Sequence, residues 1–172
     1  MIYDRTTIWL HWLTAILIAA LWGLAQIIDF WPSGGIGRVV VRSIHMTLGL
    51  ILAGLITYRI IWRNSQGRQL PPAETGILGL ASKLIHLALY TLVIIALISG
   101  ITNAWVRGDS IFGLFRLPSF APGDRPTRQL INAIHDITTN IILITAALHA
   151  AAALFHHLIR RDGVLRRMVP WG

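Results

Sequence analysis

Four long apolar stretches alternate with shorter polar segments along the chain. Residues 8–28 and 84–106 contain no charged side chain, and each is long enough to cross a hydrocarbon core of about 30 Å as a helix. Residues 43–62 also span the core if Arg59 reaches back to the interface. Residues 129–159 exceed the length that a span requires and should extend beyond the membrane. The pattern predicts an all-α integral membrane protein built as a four-transmembrane-helix bundle.

Composition agrees with a single membrane domain covering residues 1–172. Of the 172 residues, 55% are apolar and 13% are charged, which excludes a disordered chain. The sequence has no cysteine, so disulfides, thiolate catalysis and cysteine-ligated iron–sulfur clusters are excluded. Any metal in this protein must therefore be held by histidine or carboxylate ligands.

The positions of the basic residues indicate membrane topology rather than binding to nucleic acid. The net charge is +8, but the basic side chains flank the apolar stretches, as topology signals do. Nine lie on one side of the predicted bundle and six on the other, and the richer side is expected to be cytoplasmic, with both termini. The nine are Arg5, Arg59, Arg63, Arg68, Lys83, Arg160, Arg161, Arg166 and Arg167. The six are Arg38, Arg42, Arg107, Arg116, Arg125 and Arg128.

All seven histidines lie within or at the edge of an apolar stretch. His135 and His149 are 14 residues apart, close to four complete helical turns, so both project from nearly one face, about 21 Å apart along the axis. His11 lies near the cytoplasmic end of the first span, and we expect it to pair with His149. His45 lies near the opposite end of the second span and is expected to pair with His135.

Two imidazoles at each of two depths predict two b-type haems. Imidazole is a good ligand for iron, and helix bundles hold cofactors between facing helices. Zinc or copper would need three or four ligands at one depth, whereas these histidines divide two and two. Small residues such as Gly49 and Gly100 would let a flat macrocycle approach the backbone, although ordinary helix packing explains them equally well.

Several sequence runs resemble the bacterial cytochrome b561 family of di-haem membrane proteins. These runs are Ile8-Trp9-Leu10-His11-Trp12-Leu13, Ile44-His45, His135-Asp136, Leu148-His149-Ala150-Ala151-Ala152-Ala153-Leu154-Phe155-His156-His157 and the closing Leu165-Arg166-Arg167-Met168-Val169-Pro170. They follow the family order over nearly the whole chain. The resemblance implies a multi-pass protein of the bacterial inner membrane with two haems b.

The resemblance also implies electron transfer between quinone and a partner on the periplasmic side. One branch of the family passes electrons from superoxide to ubiquinone, which is the function we expect here. The alternative is a non-catalytic electron-relay subunit of a dehydrogenase or hydrogenase. A third hypothesis, from another class, is a haem-free transporter or assembly protein with structural histidines. A homodimer is compatible with the sequence.

Two further histidines, His86 and His156, belong to the cytoplasmic depth. Neutral imidazoles near an aqueous interface donate hydrogen bonds and carry protons, as reduction of a quinone requires. Both are therefore candidate quinone-site residues. An interfacial histidine bonded to backbone or headgroup is an equally good explanation. A rival assignment makes His86 a haem ligand in place of His11.

Three arginines, Arg38, Arg42 and Arg128, precede the periplasmic pair of histidines by three or seven residues. In a helix they would lean towards the haem face, where they can pair with haem propionates. They can equally form part of a positive rim that steers a small anion such as superoxide. The two interpretations are compatible. The same rim contains Arg107, Arg116 and Arg125.

Two other sets of charged residues complete the predicted sites. On the cytoplasmic side Arg5, Arg59 and Arg63 can pair with propionates in the same way, although topology alone explains their presence. Asp136 is the one carboxylate within a span. Paired with an arginine it anchors the structure, which is the role we expect; otherwise it can orient a ligand or relay protons.

Overall fold

A computed structural model describes residues 1–169 and is dominated by four long helices. They are α1 (Arg5–Ile28), α2 (Ile36–Ser65), α3 (Gly76–Arg107) and α4 (Arg125–Phe155). A π-helical turn (His156–Arg160) follows α4, and a 3₁₀ turn (Leu165–Met168) lies near the end of the described chain. Pro170, which closes the tail motif, lies outside the described residues. All four helices are long and apolar enough to cross a membrane, which confirms the predicted fold class.

Each helix begins before its predicted span, and local signals set several of the helix ends. Asp4 and Asp124 cap α1 and α4 by accepting the backbone N–H of the threonine three residues on, as N-cap side chains do. Gly108 ends α3 in the left-handed conformation, at φ 64°, which glycine adopts without strain. The last four residues of the predicted fourth span, 156–159, lie in the π-helical turn rather than in α4.

The bundle packs around an apolar cluster at mid-height. Leu52 and Ile56 of α2, Val93 and Ala96 of α3, and Ile142 of α4 are buried together. Leu17, Ile18 and Leu21 of α1 pack against them. The outward faces are also apolar, and Ile16, Ile98 and Ile144 each expose more than half of their surface. Apolar side chains on the inside and on the outside are typical of a bundle that lies in lipid.

The two ends of the bundle differ in how they are closed. The end that carries both chain termini, here the terminal end, is tied by hydrogen bonds from the Trp12 indole to Met168 O (2.7 Å) and from Tyr3 N to Arg167 O (3.1 Å). The opposite end, here the loop end, carries a two-stranded antiparallel hairpin, β1 (Ser110–Ile111) and β2 (Phe115–Arg116). Buried Ser43 of α2 accepts a hydrogen bond from Phe112 N (2.7 Å), so the hairpin is held against the bundle.

Candidate functional site

At the loop end, His45 of α2 faces His135 of α4. Their ring centroids are 6.3 Å apart and the ring planes are inclined by 77°. The Nδ1 atom of His135 lies 3.0 Å from the carbonyl oxygen of Ala96 and 3.1 Å from Ser99 Oγ, both on α3. The Nδ1 atom of His45 is buried without a hydrogen-bond partner among residues 1–169. The structure therefore brings together the two residues predicted for this depth.

At the terminal end, three histidines meet instead of two. His11 of α1 and His149 of α4 have ring centroids 6.2 Å apart, nearly the spacing of the other pair. His86 of α3 lies closer to His149, at 5.1 Å. Its Nδ1 atom is 2.6 Å from the carbonyl oxygen of Ser82, one turn earlier in α3. His11 and His149 are half-buried, whereas His86 is exposed.

A half-buried arginine lies beside this cluster. One terminal nitrogen of Arg59 lies 3.1 Å from Nδ1 of His11, and its guanidinium lies over the ring of Tyr90, 5.3 Å from the centroid. Within the described part of the chain its Nε atom is buried and has no hydrogen-bond partner, and no carboxylate forms an ion pair with it. A half-buried cation with a buried donor that has no partner is suited to an anionic group.

The spacing within each pair fits a bis-imidazole metal site. A metal–imidazole bond is about 2 Å long, and the ring centroid lies about 1 Å beyond the nitrogen, so two rings on opposite sides of one metal ion have centroids about 6 Å apart. The 6.3 Å and 6.2 Å separations match this value. The 5.1 Å between His86 and His149 is too short for it. The spacing of both pairs therefore fits haem at both depths. At the terminal end, Arg59 beside His11 adds a cationic group whose Nε has no partner in the described chain.

Gly100 of α3 has a more specific surrounding than the sequence indicates. A Cβ atom at this position would lie 2.9 Å from Cε1 of His135, closer than nonbonded carbons approach. Nothing lies within 4 Å of a Cβ built at Gly49 or Gly54. The missing side chain at Gly100 therefore makes room for the imidazole of His135, whereas the sequence interpretation concerned only a macrocycle.

His156 lies in a different neighbourhood from the other histidines of the terminal end. The π-helical turn directs it to Asp162, with Nδ1 2.5 Å from Oδ2, and Glu74 lies 3.9 Å away. In the described chain its ring does not contact that of His149 or His86. The hydrogen bond from His156 lowers the pKa of the Asp162 carboxyl below its ordinary value. The two residues predicted for a quinone site are therefore not brought together.

Two of the three arginines predicted near the loop-end pair form ion pairs with aspartates. Arg38 pairs with Asp29. Arg42 lies 3.2 Å from Asp109, which also holds Arg107 at 2.8 Å. Asp109 is buried. It comes from the loop before the hairpin, which the sequence does not predict to fold back onto α2. The third predicted arginine, Arg128, is exposed, and no ion pair is recorded for it within residues 1–169.

A shallow cavity of about 170 Å³ opens between these charged groups. Three guanidinium groups and one carboxylate contribute to its lining, so its net charge is positive. The residues that line it are Gly34, Arg38, Val39, Arg42, Gly108, Asp109, Ser110 and Arg116. A small anion reaching the loop end would be attracted to this cavity.

The carboxylate of Asp136 does not pair with an arginine in the described chain, so that part of the sequence interpretation is wrong. It accepts a hydrogen bond from Asn132 Nδ2 at 2.6 Å. Asn132 in turn accepts from Asn103 Nδ2 of α3 at 3.0 Å and lies 3.4 Å from a terminal nitrogen of Arg107. Asp136 is therefore linked to Arg107 through one intervening amide, and the polar chain joins α4 to α3 beside the loop-end histidines.

Comparison with known proteins gives a consistent result. The family model for prokaryotic cytochrome b561 matches residues 2–171. Cytochrome b561 homolog 1 of Escherichia coli K12 is 31% identical, over 98% of this chain and 97% of that protein. A probable superoxide oxidase, CybB, of Yersinia pestis is 30% identical, over 98% and 96%. Cytochrome b561 homolog 2 of E. coli K12 is 28% identical, over 92% and 86%.

These matches cover the chain almost from end to end, and they confirm the resemblance carried by the histidine motifs. Together with the four apolar helices, they also confirm a multi-pass protein of the bacterial inner membrane. The chain belongs to the prokaryotic cytochrome b561 family, whose members transfer electrons in the membrane with b-type haem.

Proposed function

We propose that this protein is a di-haem oxidoreductase that takes electrons from superoxide on the periplasmic side and delivers them to ubiquinone. The observation that carries the proposal is that two pairs of histidine rings lie at two depths of one bundle, with centroids 6.3 Å apart in one pair and 6.2 Å apart in the other. The 30% identity to a probable superoxide oxidase supports the choice of donor. The terminal end is the cytoplasmic side in this proposal, because it carries nine of the fifteen basic residues.

Each haem has two histidine ligands in this proposal. His45 and His135 hold one haem at the loop end, and His11 and His149 hold the other at the terminal end. Bound haem supplies an iron centre that accepts and releases one electron at a time. The protein contributes fixed ligands: four half-buried imidazoles on three helices, braced by the apolar cluster at mid-height.

The positive cavity at the loop end is the proposed entry for superoxide. Its three arginines raise the local concentration of a small anion. Asp109 holds the guanidinium group of Arg42, one of the three, and that of the neighbouring Arg107. Arg38 and Arg42 form ion pairs with aspartates. They therefore stabilise the folded loop end and also contribute positive charge to the cavity. Arg128, exposed at the start of α4, adds to the same field or pairs with a haem propionate.

The quinone site is proposed at the terminal end, beside His149. Ubiquinone takes up two electrons and two protons, so two superoxide ions become two molecules of O2 for each quinol formed. His86 is exposed and lies beside His149, where its ring can donate a hydrogen bond to a quinone oxygen or carry a proton to it. His156, bonded to Asp162 and near Glu74, is proposed to carry protons from the aqueous surface rather than to touch the quinone.

The test is superoxide-dependent reduction of ubiquinone by the purified holoprotein, followed by stopped-flow absorbance. We expect quinol to form at half the rate of superoxide loss, and the second-order rate constant to fall steeply between low and high ionic strength. Arg116→Gln, in the cavity but outside its ion pairs, should weaken the salt dependence. Arg166→Gln at the terminal end is the matched control and should not alter it.

Two outcomes would count against this function. A holoprotein inert towards superoxide that co-purifies with a soluble dehydrogenase would favour the relay-subunit alternative. A superoxide reaction with a flat salt profile would remove the role of the arginine cavity while leaving the electron transfer itself intact.

A further inference from the structure

Helix α3 contributes no histidine at the loop end, but three of its residues lie against the imidazole of His135. Within one turn it presents the Ala96 carbonyl oxygen and the Ser99 hydroxyl to Nδ1, at 3.0 Å and 3.1 Å. Gly100 leaves the space that the ring occupies. These three residues are here called the His135 cradle.

The cradle determines which nitrogen of His135 carries the proton. A carbonyl oxygen only accepts hydrogen bonds, so Nδ1 of His135 must donate to Ala96. The Ser99 hydroxyl donates to the same carbonyl, at 3.1 Å, so its own oxygen is free to accept from Nδ1. Nδ1 is therefore the protonated nitrogen. The lone pair then belongs to Nε2, the nitrogen left free to bind metal.

Steric contact keeps the ring in this position. Ser99 is 7% exposed, so its hydroxyl is shielded from competing solvent. A Cβ at position 100 would lie 2.9 Å from Cε1 and 3.3 Å from Nδ1 of His135. Any larger residue at position 100 must therefore push the imidazole away from α3 and away from its hydrogen-bond partners.

We infer that Ser99 and Gly100 are positioning residues that set the ligand strength of His135 and, through it, the reduction potential of the loop-end haem. The inference rests on the proposed function. A hydrogen bond from Nδ1–H makes the imidazole a stronger donor to the metal, and a stronger donor favours the oxidised iron. Ser99 therefore lowers the potential of this haem relative to a ligand without the hydroxyl contact.

The hydroxyl is tested with Ser99→Ala in purified holoprotein, by potentiometric titration of the visible spectrum. The loop-end haem is identified first as the one that His45→Ala removes. Ser99→Ala should raise its midpoint potential, so that the ratio of reduced to oxidised haem at fixed ambient potential increases about two- to fivefold. Ser99→Thr, which keeps the hydroxyl, should restore the wild-type value.

The matched control is Thr102→Val. Thr102 also lies on α3 and bonds the carbonyl four residues earlier, Ile98 O at 2.8 Å, whereas the hydrogen-bond partners of His135 in the described chain are Ala96 and Ser99. An unchanged potential in Ser99→Ala, or an equal change in Thr102→Val, overturns the role of Ser99.

The steric part is tested with Gly100→Ala, which should shift or broaden the low-spin EPR signal of the loop-end haem and leave the other signal unchanged. Gly54→Ala is the control, because a Cβ there meets nothing within 4 Å and position 54 is half a turn away from the His45 face of α2. Unaltered EPR in Gly100→Ala overturns the steric role. The proposed function fails separately, if wild-type protein contains fewer than two haems.

Discussion

The two histidine pairs have the same spacing but different surroundings. At the loop end, Nδ1 of His135 faces a carbonyl and a hydroxyl oxygen. At the terminal end, Nδ1 of His11 faces the guanidinium of Arg59, which can only donate. The first environment stabilises a protonated Nδ1, whereas the second adds a positive charge beside the ring. Similar spacing therefore does not imply similar redox properties, because those depend on neighbouring residues.

The difference also indicates what each end still requires. At the loop end the His135 cradle satisfies that imidazole within the protein, and the buried atom without a partner in the described chain is a ring nitrogen, Nδ1 of His45, rather than part of a cationic group. At the terminal end, the Nε atom of Arg59 has no hydrogen-bond partner in the described chain. A terminal nitrogen of Arg59 lies against Nδ1 of His11, which is the atom that donates a hydrogen bond when an imidazole binds metal through Nε2. A carboxylate of a bound group would give Arg59 a better partner. We therefore expect the terminal end to depend more on its bound cofactor than the loop end does.

The largest effects should come from removing histidines one at a time. If the proposed ligands are right, alanine at His11 or His149 should each remove about one haem per chain, as should alanine at His45 or His135, because each change removes one of the two histidines proposed to hold that haem. His86→Ala should retain two haems, since its ring is too close to His149 for the bis-imidazole spacing. Haem-to-protein ratios from pyridine haemochrome spectra provide the measurement. One haem in His86→Ala and two in His11→Ala would establish the rival ligand assignment.

A change of intermediate size is expected from Arg59→Gln. A positive charge beside the imidazole of His11 would favour the reduced state of a haem held there, so its removal should lower the midpoint potential of the terminal-end haem and change its reduced-to-oxidised ratio about tenfold or more. The loop-end haem should hardly respond. Arg63→Gln is the control, because Arg63 lies over the ring of Tyr3 and bonds Arg68 O and Gln69. A rise in potential, or equal shifts at both haems, would contradict the contrast between the two ends.

The smallest effect concerns two helix caps at opposite ends of the bundle. Asp4 and Asp124 each bond both the backbone N–H and the hydroxyl of the threonine three residues later. Asp4 also accepts from the Trp62 indole (3.0 Å) and from Arg68 N (2.9 Å). Asp4→Ala should therefore lower the free energy of unfolding by about 1–2 kcal/mol, and Asp124→Ala by less. Urea or thermal unfolding in mild detergent measures both.

The pH dependence of this cap follows from its hydrogen bonds. Burial raises the pKa of Asp4, but the hydrogen bonds from Thr7, Arg68 and Trp62 outweigh it and leave the pKa well below its ordinary value. The cap therefore contributes its full stabilisation above the pKa of an unfolded aspartate, about 4. The contribution declines only in more acidic solution. Equal losses in Asp4→Ala and Asp124→Ala would show that the extra bonds add nothing.

The features that sequence analysis predicted correctly depend on helix geometry alone. Uncharged stretches of about 20 residues predict the spans because a membrane has a fixed thickness. The 14-residue spacing of His135 and His149 predicts one helical face because the rise and twist of a helix are fixed. Both inferences need only the sequence of one segment.

The features that it did not predict depend on contacts between segments. Ala96 and Ser99 meet His135 because of how α3 is rotated against α4, and Asp109 reaches Arg42 because the hairpin folds back. His156 lies seven residues after His149, which in a regular helix places both near one face, but the π-helical turn directs His156 to Asp162 instead. One signal was available in the sequence: Ser99-Gly100 places a small polar residue and a glycine together in the middle of an apolar span.

The apolar cluster at mid-height has a consequence for charge balance. Leu52, Ile56, Val93, Ala96 and Ile142 fill the bundle between the two histidine depths, and none of these side chains titrates or forms a hydrogen bond. These five side chains therefore offer no group that relays a proton, whereas an electron can tunnel through closely packed hydrocarbon. Under the proposed function, an electron that crossed this cluster without a proton would polarise the membrane.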